Sequence, residues 1–522
     1  MLMTAAEYRE SLRTLRPRVF VDGSRIDSVA DAPQLRPGIA ALGVSYDWAL
    51  REDVAPLMRA VQGTSGKTVN RMLHVDASAG DLLNKLEAVR VLCQETGCAQ
   101  RYLAHDGFCA LEQSTARTDA EEGTAYRDRF RAWMHDAQDR DLAIGIAMTD
   151  AKGDRSRRPH EQANPDTHVH IVERSAKGVV LSGTKAIVTG APYMHEFLVM
   201  PGRQMTEADA PFAVCCAVPC DADGLTIVAR PAGRPGEKAA LFSSRYGQST
   251  GVLVFDHVFV PWERVFLAGE WAEAGHLVQA YSTHHRHTCI AARAGFGDLL
   301  IGAGALMCEA NGFEDPGRES TLREPMVELI KIVEGFYACG VAASVYATRD
   351  EHSGSFMPDP VFANIGKLLL ATQIYDMHRL AHEVSGGLVV TLPGPDEDHN
   401  PATAAKLADV LRANPGVPYD RRIETARFLE DLTASYQGGW YSVISLHGGG
   451  SPAAMKQEIW RRYPVGSKVE LVERLLGRGV LADPDRRIAA NRQPGRCCDR
   501  GCSAPGEAIM VDLPTTGTGR KT

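Results

Sequence analysis

The sequence predicts an α+β protein with a helical N-terminal region, a middle β-domain and a C-terminal helical bundle. Apolar residues recur at helical spacing in residues 80–92, and alternate with polar residues in 167–173. Helical periodicity then returns beyond Glu270. Strands and helices therefore do not alternate as in a Rossmann fold, and no GxGxxG turn joins a strand to a helix.

The N-terminal region, residues 1–140, is predicted to be mainly helical. Leu82, Leu83, Leu86, Val89 and Leu92 lie on one side of a helix, and residues 126–133 continue this pattern with interleaved charges.

The middle region, residues 141–268, is predicted to form a β-domain. Short apolar runs at 197–200, 212–214 and 252–255 are separated by turn residues, and a Lys-Gly turn at 177–178 joins two alternating stretches. Strands this short and frequent are typical of a compact barrel or sandwich, and of the two we predict a barrel.

The third region, residues 269–480, is predicted to be a helical bundle. Residues 334–343 are apolar nearly all around a helix, so neighbouring helices or subunits must cover them. Residues 481–522 are rich in Arg, Gly, Pro and Thr and are expected to form a flexible tail. For Cys497, Cys498 and Cys502 in this tail, disorder is favoured over metal binding.

Composition excludes several classes of function. The 522 residues include 44% hydrophobic and 23% charged residues, and the net charge of −8 argues against nucleic acid and anionic membranes as partners. No uninterrupted apolar run approaches the roughly 20 residues that span a bilayer. The first residues lack the apolar core of a signal peptide, so we expect a cytoplasmic protein whose 12 cysteines are reduced thiols.

Five short motifs occur in order between about residue 85 and residue 478. They are Met148–Ser156, Gly183–Ala186 with Thr189–Ala191, Gly295–Ala303, Ser385–Pro393 and His447–Pro452. Together they resemble the flavoprotein family that includes 4-hydroxybutyryl-CoA dehydratase and the large component of 4-hydroxyphenylacetate 3-monooxygenase. The resemblance implies an acyl-CoA-dehydrogenase-like fold, a homotetramer, and a flavin between β-domain and bundle that a neighbouring subunit helps to bind.

The resemblance also implies which residues bind FAD. Hydroxyl groups of Thr149 and Thr189 can bond to ring heteroatoms, and Lys152 and Arg155 can neutralise the pyrophosphate. The remaining residues predicted to contact the cofactor are Ile146, Met148, Asp154, Ser385, Gly386, Gly387, His447, Gly448, Gly449 and Gly450.

The iron–sulfur ligands of the dehydratase branch are incomplete in this sequence. That branch uses two cysteines four residues apart, and a histidine followed seven residues later by a cysteine. The corresponding residues here are Cys98, Tyr102, His285 and Ala292, and Cys289 lies too early to replace the last cysteine. Since two ligands cannot hold a [4Fe-4S] cluster, a cluster-free protein is predicted.

The acid–base residues of the two branches are also largely absent. The dehydratase's two glutamates and its tyrosine fall at Thr250, Ile444 and Cys289, so dehydration of an acyl-CoA is not expected. The monooxygenase branch has a tyrosine where this chain has Tyr102, but Cys98 replaces its arginine, and its active-site histidine falls at Ile146.

The resemblance therefore favours an FADH2-dependent, two-component monooxygenase. Tyr102, His285 and Arg293 are the predicted catalytic residues, and Cys98, Gln100 and Cys289 are predicted to contact an electron-rich, aromatic small molecule that is hydroxylated or epoxidised. The other expected partners are O2 and a separate NAD(P)H:flavin reductase.

Two other functions stay open. One is cluster-free redox-neutral, dehydrogenase or isomerase chemistry on an acyl or cyclic substrate, and the other is a flavin-binding scaffold without turnover. No metal site is predicted: of His276, His284, His285 and His287, only His284 and His287 have the spacing to share a helix face, and two ligands make a poor site.

Overall fold

A computed structural model describes residues 2–313 and 321–477, and it confirms the α+β class. The tail predicted at 481–522, with its three cysteines, lies outside the described residues. The N-terminal region contains six helices and four short strands: Ala5–Thr14 (α1), Arg18–Val21 (β1), Ser24–Ile26 (β2), Arg36–Leu50 (α2), Ala55–Met58 (α3), Arg59–Val61 (β3), Thr68–Asn70 (β4), Ala79–Thr96 (α4), Tyr102–Glu122 (α5) and Tyr126–Asp139 (α6).

Eight strands follow in the middle region. They are Ile144–Ala147 (β5), His170–Arg174 (β6), Gly178–Thr189 (β7), Glu196–Val199 (β8), Val214–Pro219 (β9), Leu225–Ala229 (β10), Thr250–Pro261 (β11) and Val265–Ala268 (β12). Phe212, predicted to begin a strand, instead ends a 3₁₀ turn, and the strand begins at Val214.

The strands of the middle region form two open sheets. The six-stranded sheet has the order β2-β1-β10-β11-β7-β6, and the four-stranded sheet has the order β12-β9-β8-β5. Their inner faces share one apolar core, to which Leu253 and Phe197 contribute from opposite sheets. In the described part of the chain, the edge strands β2 and β6 do not pair, so the arrangement is a sandwich rather than the predicted closed barrel.

Strands β1 and β2 lie in the region predicted to be helical. Strand β1 pairs in parallel with β10, which is more than 200 residues later in the chain. This long-range pairing makes them part of the middle domain's sheet.

The C-terminal region is a helical bundle with one small hairpin. Its elements are Trp271–Ala310 (α7), Arg323–Val345 (α8), Thr348–Arg349 (β13), Phe356–Met357 (β14), Pro360–Ser385 (α9), Ala404–Val410 (α10), Tyr419–Thr433 (α11), Tyr436–His447 (α12), Pro452–Arg462 (α13) and Val465–Leu475 (α14). Helix α7 is the central element, because it packs against α4, α5, α8 and α9.

Helix α7 is long and apolar enough to span a bilayer, but 67% of its most apolar window is buried inside the protein. Such burial is typical of the core helix of a globular bundle. Close packing of this helix depends on glycine: a Cβ atom on Gly295 would overlap the Arg90 carbonyl oxygen and lie 2.8 Å from the Cβ of Cys93 on α4.

Two glycines of α7 give a matched test of this packing. We expect Gly295→Ala to lower the free energy of unfolding by about 1–3 kcal/mol, because the added methyl group forces α4 and α7 apart. Gly302→Ala, on the exposed face of the same helix with no atom near the new methyl, should raise it by about 0.5–1 kcal/mol. Urea unfolding followed by circular dichroism measures both values, and equal effects would contradict the packing explanation.

Candidate active site

A narrow cleft opens where the bundle meets the end of strand β7. Its walls come from the start of α5, the end of β7, the middle of α7, the first half of α9 and the end of α12. The lining residues are Cys98, Tyr102, Leu103, Thr189, His285, Cys289, Ala292, Arg293, Lys367, Leu370, Trp440, Ile444, Ser445 and Gly448.

Helix α7 supplies the central wall of the cleft. His285, Cys289, Ala292 and Arg293 are spaced by four, seven and eight residues, which places them on one face of a helix. The cleft thus brings together all three predicted catalytic residues, since Tyr102 lies on the opposite wall.

The His285 imidazole is held on several sides. Its ring stacks between Tyr102, at 6.2 Å between ring centroids, and Tyr281, at 5.3 Å. Its Nδ1 lies 3.0 Å from Oδ2 of Asp106, and its Nε2 lies 3.5 Å from the sulfur of Cys289. Thr288 donates a 2.6 Å hydrogen bond to the other Asp106 oxygen, so the carboxylate that orients the imidazole is itself fixed.

The charges around His285 favour its protonated form. Burial alone would lower the pKa of His285, but Cys289 and Asp106 raise that pKa to about 10. Burial opposes ionisation of Cys289, yet its contact with His285 lowers the pKa of the thiol. Both pKa shifts favour transfer of the Cys289 proton to the His285 imidazole.

Three buried cations lie at or beside the cleft. Arg293 and Lys367 line it, and Arg286 lies behind it and donates to the Gly449 carbonyl oxygen and to Asn364. Within residues 2–313 and 321–477, no carboxylate oxygen lies within 4 Å of any of the three. Burial and the two neighbouring arginines lower the pKa of Lys367 to about 8, so this ammonium can release its proton near neutral pH.

Local backbone structure positions the opposite wall. Gly97 ends α4 in the left-handed conformation, φ +68°, and a Cβ there would overlap the Tyr441 hydroxyl group. The chain then turns sharply through Cys98 into α5, whose first residue is Tyr102. Burial raises the pKa of Tyr102 well above its usual range, and the nearby Cys98 adds a smaller contribution in the same direction, so the phenol stays neutral.

Gln100, predicted to contact substrate, is not among the residues lining the cleft. Its side-chain oxygen accepts a 2.8 Å hydrogen bond from Tyr193, which itself belongs to the β-domain core. Cys98 and Cys289, the other two residues assigned to substrate, both line the cleft.

Most residues predicted to bind FAD lie away from the cleft. Thr189 and Gly448 line it, whereas Ile146 is buried against α5, and Met148 and Thr149 are half-buried at the end of β5. The exposed loop beyond them carries Lys152, Asp154 and Arg155, where the Asp154 carboxylate accepts hydrogen bonds from Ser156.

The two glycine-rich segments occupy different places. His447 ends α12, and Gly449 and Gly450 follow it beside the cleft, where Gly449 packs against Arg286 and His285. Ser385, Gly386 and Gly387 end α9, and at about 1.5 Å per residue they lie about 27 Å along that helix from Lys367. This second segment therefore cannot contact a molecule in the cleft of its own subunit.

Two residues of the site were missed by the sequence analysis. Asp106 lies one turn after Tyr102 on α5, and Lys367 interrupts an apolar stretch of α9. A lone charged residue on an otherwise buried helix face was the available signal.

The neighbouring histidines of α7 do not join the site. The Nε2 atom of His284 lies 3.3 Å from Gln113 and that of His287 lies 2.8 Å from Ser344, and burial lowers the pKa of both. His276 is exposed. Among the described residues, the one group compact enough to hold a metal ion is Asp76, His105 and Cys109, where the Lys85 ammonium already lies 3.4 Å from the carboxylate.

The positions expected to ligate a [4Fe-4S] cluster do not all carry a sulfur or imidazole ligand. By the family resemblance, Ala292 and Tyr102 occupy two of these positions, and the sulfur of Cys98 lies 3.8 Å from the Tyr102 hydroxyl. Cys289 is engaged with His285 on the same helix. The residues present therefore do not fit four-point thiolate ligation.

Known proteins share this fold over nearly the whole chain. A 4-hydroxybutyryl-CoA dehydratase/vinylacetyl-CoA-Δ-isomerase from Clostridium aminobutyricum is 34% identical over 494 residues, covering 91% of this chain and all of the relative. The oxygenase component of 4-hydroxyphenylacetate 3-monooxygenase from Thermus thermophilus is 24% identical over 470 residues, and the alignment covers 89% of this chain and 95% of the relative.

Solved structures of related proteins have the same fold as this chain. An oxygen-tolerant archaeal 4-hydroxybutyryl-CoA dehydratase from N. maritimus superimposes with a TM-score of 0.87 at 33% identity. The superposition covers 95% of this chain and 98% of the dehydratase chain. The oxygenase component of a 4-hydroxyphenylacetate 3-monooxygenase, complexed with FAD, has a TM-score of 0.80 at 22% identity, covering 91% and 98%.

The family models for the N-terminal and C-terminal parts of 4-hydroxyphenylacetate 3-hydroxylase match residues 4–267 and 274–477. The resemblance expected from the five motifs is thereby confirmed, and the chain belongs to the 4-hydroxyphenylacetate 3-hydroxylase family.

Proposed function

We propose that this protein is the oxygenase component of a two-component, FAD-dependent monooxygenase that hydroxylates a small phenol. The observation that carries the proposal is the pair of buried cations, Arg293 and Lys367, that line the cleft without a carboxylate partner among the described residues. Buried charges need compensation, so this cleft favours an anion such as a phenolate. A phenolate ring is also electron-rich, as electrophilic oxygenation requires.

Each cleft residue has a role in this proposal. The neutral amine of Lys367, whose pKa is about 8, accepts the phenol proton, and the resulting ammonium holds the oxyanion together with Arg293. The neutral Tyr102 hydroxyl donates a hydrogen bond that orients the ring. The His285 imidazolium, fixed by Asp106, is the proton donor on the opposite wall.

The residues around the cleft fit a flavin without an iron–sulfur partner. Thr189 and Gly448 offer a hydroxyl group and close backbone approach, and the loop at 152–155 offers cations for the pyrophosphate. When bound, reduced FAD supplies the electrons with which O2 is activated. We assign the supply of reduced cofactor to a separate NAD(P)H:flavin reductase, because two relatives, a 4-hydroxyphenylacetate 3-monooxygenase and a 4-nitrophenol 2-monooxygenase, are oxygenase components and so act with a second component.

The separation of Ser385–Gly387 from Lys367 in the cleft supports a homo-oligomer, with a tetramer as the proposed state. Because Ser385–Gly387 cannot contact the cleft of its own subunit, we place it against the flavin of a neighbouring subunit in an acyl-CoA-dehydrogenase-like assembly. A cytoplasmic location belongs to the same proposal.

Oxygen-isotope incorporation tests the function directly. Purified protein is supplied with FAD, a flavin reductase, NADH and 18O2, together with a panel of phenols that differ in the para substituent. We expect one phenol to gain a single 18O atom by mass spectrometry, and no product without the reductase. Failure of every phenol, in protein shown to bind FAD, would contradict the proposal; iron and acid-labile sulfide at cluster stoichiometry would contradict its cluster-free form.

Redox-neutral chemistry on an acyl-CoA is the second candidate. It is favoured by the 34% identity to a dehydratase/isomerase over 91% of this chain. An enolate would occupy the same cationic cleft as a phenolate. Anaerobic conversion of vinylacetyl-CoA by the FAD-loaded protein, with no reductant and no 18O product in the first assay, would select this candidate.

A further inference from the structure

We infer that Cys289 is the nucleophile of a Cys–His–Asp array that forms thioether adducts with α,β-unsaturated carbonyl compounds entering the cleft. This reactivity goes beyond the proposed oxygenation and needs neither flavin nor O2. It rests on the placement of three side chains and on the cations that face them.

The three side chains have the mutual geometry of an activated nucleophile. The Cys289 sulfur lies 3.5 Å from Nε2 of His285, and Nδ1 of the same ring lies 3.0 Å from Asp106. His285 and Cys289 are one turn apart on α7, whereas Asp106 comes from α5. A nucleophile, a base and an orienting carboxylate in this order is the arrangement shared by thiol and serine catalysts.

Cys289 differs from the other thiol of the cleft. Cys98 also lines the cleft, but its hydrogen-bonding neighbour is the Tyr102 hydroxyl at 3.8 Å, and no imidazole within residues 2–313 and 321–477 hydrogen-bonds to its sulfur. Since only thiolates are strong nucleophiles, the imidazole contact decides which of the two sulfurs reacts.

The environment of Cys289 is cationic on two further sides. The ionisable groups that face the array are Lys85 from α4, Tyr102 and Asp106 from α5, Tyr281, His285, Arg286 and Arg293 from α7, Lys367 from α9, and the thiols of Cys93 and Cys98. Of these, Arg293 and Lys367 line the same cleft as the sulfur, where a carbonyl oxygen of a bound substrate can reach them.

The proposed step is a reversible conjugate addition. His285 takes the thiol proton, the sulfur forms a bond to the β-carbon, and the C=C π bond breaks to give an enolate stabilised by Lys367 and Arg293. The His285 imidazolium then returns its proton to the α-carbon. Sulfur and substrate exchange no electrons with an external oxidant, and the reverse elimination restores the thiol and the alkene.

Acrylamide is a small probe of this class, and peptide mass spectrometry resolves each cysteine. The full chain, free of FAD and checked for the absence of iron, is treated anaerobically at pH 6.5. We expect Cys289 to be modified at least about 10-fold faster than Cys339, because an ordinary thiol with a pKa near 8.5 is about 1% ionised there, and burial raises the pKa of Cys339 and lowers its ionised fraction further. Accessibility alone predicts the reverse order, since Cys339 is the more exposed thiol.

Variants distinguish activation of the Cys289 thiol by its neighbours from simple accessibility of that thiol. Asp106→Asn and His285→Gln should each slow the modification of Cys289 at least about 10-fold and leave Cys339 unchanged. Cys308→Ala is the matched control, because it removes another buried thiol of α7 that lies outside the cleft, about 28 Å along the helix from Cys289, and it should alter the Cys289 rate less than about twofold. The inference is overturned if Cys289 in the wild type reacts no faster than Cys339, an outcome that depends on no variant and leaves the proposed oxygenation untouched.

Discussion

A His285→Gln variant is expected to hydroxylate the preferred phenol about 10² to 10⁴ times more slowly than the wild type, with a far smaller change in KM. Glutamine can keep a hydrogen bond to Asp106 but cannot carry the proton that the structure assigns to the imidazole. The 18O assay under single-turnover conditions measures the rate. A loss confined to KM would mean that His285 only helps to bind substrate.

His276→Gln is the matched control for this loss. His276 lies on the same helix but is exposed and outside the cleft, so its replacement should leave the rate within about twofold. Equal losses in both variants would point to damage of α7 rather than removal of a proton donor. Unfolding free energies of the two variants, measured in parallel, distinguish these explanations.

Residues that lie close together on one helix are the part of the site that a sequence indicates most directly. His285, Cys289, Ala292 and Arg293 share a face because a helix repeats every 3.6 residues, and that spacing is visible in the sequence. Tyr102 could be placed opposite them only through the family resemblance.

Asp106 and Lys367 could not be predicted in the same way. Each is a single charged residue on a helix, and its role depends on how α5 and α9 pack against α7. Strands β1 and β2 were missed for a related reason, since β1 pairs with residues 225–229 and nothing in its local pattern indicates that partner. Gln100 shows the opposite error, because its position beside the site says nothing about the direction of its side chain.

An Arg101→Met variant is expected to lose about 3–5 kcal/mol of unfolding free energy. The Arg101 guanidinium is fully buried, forms an ion pair with Asp141, donates to the Asp141 carbonyl oxygen at 3.0 Å, and lies 3.8 Å above the Tyr46 ring. Methionine retains much of the volume but leaves the Asp141 carboxylate buried without a countercharge. Urea unfolding at pH 7 measures the loss.

Two comparisons test whether the uncompensated Asp141 carboxylate causes the loss of unfolding free energy. Arg245→Met removes an arginine whose side chain is 70% exposed and paired with Glu95, and it should change stability by less than about 1 kcal/mol. Adding Asp141→Asn to Arg101→Met should recover part of the loss, because the buried carboxylate is then gone. If the double variant is as unstable as the sum of the two single variants, the loss comes from packing around Tyr46.

Arg101 immediately precedes Tyr102, so a packing defect around Tyr46 would also displace the phenol that faces His285. In that case the hydroxylation rate of the double variant, measured by the 18O assay, would fall together with its stability. If the buried charge is the cause, the rate would recover together with the stability.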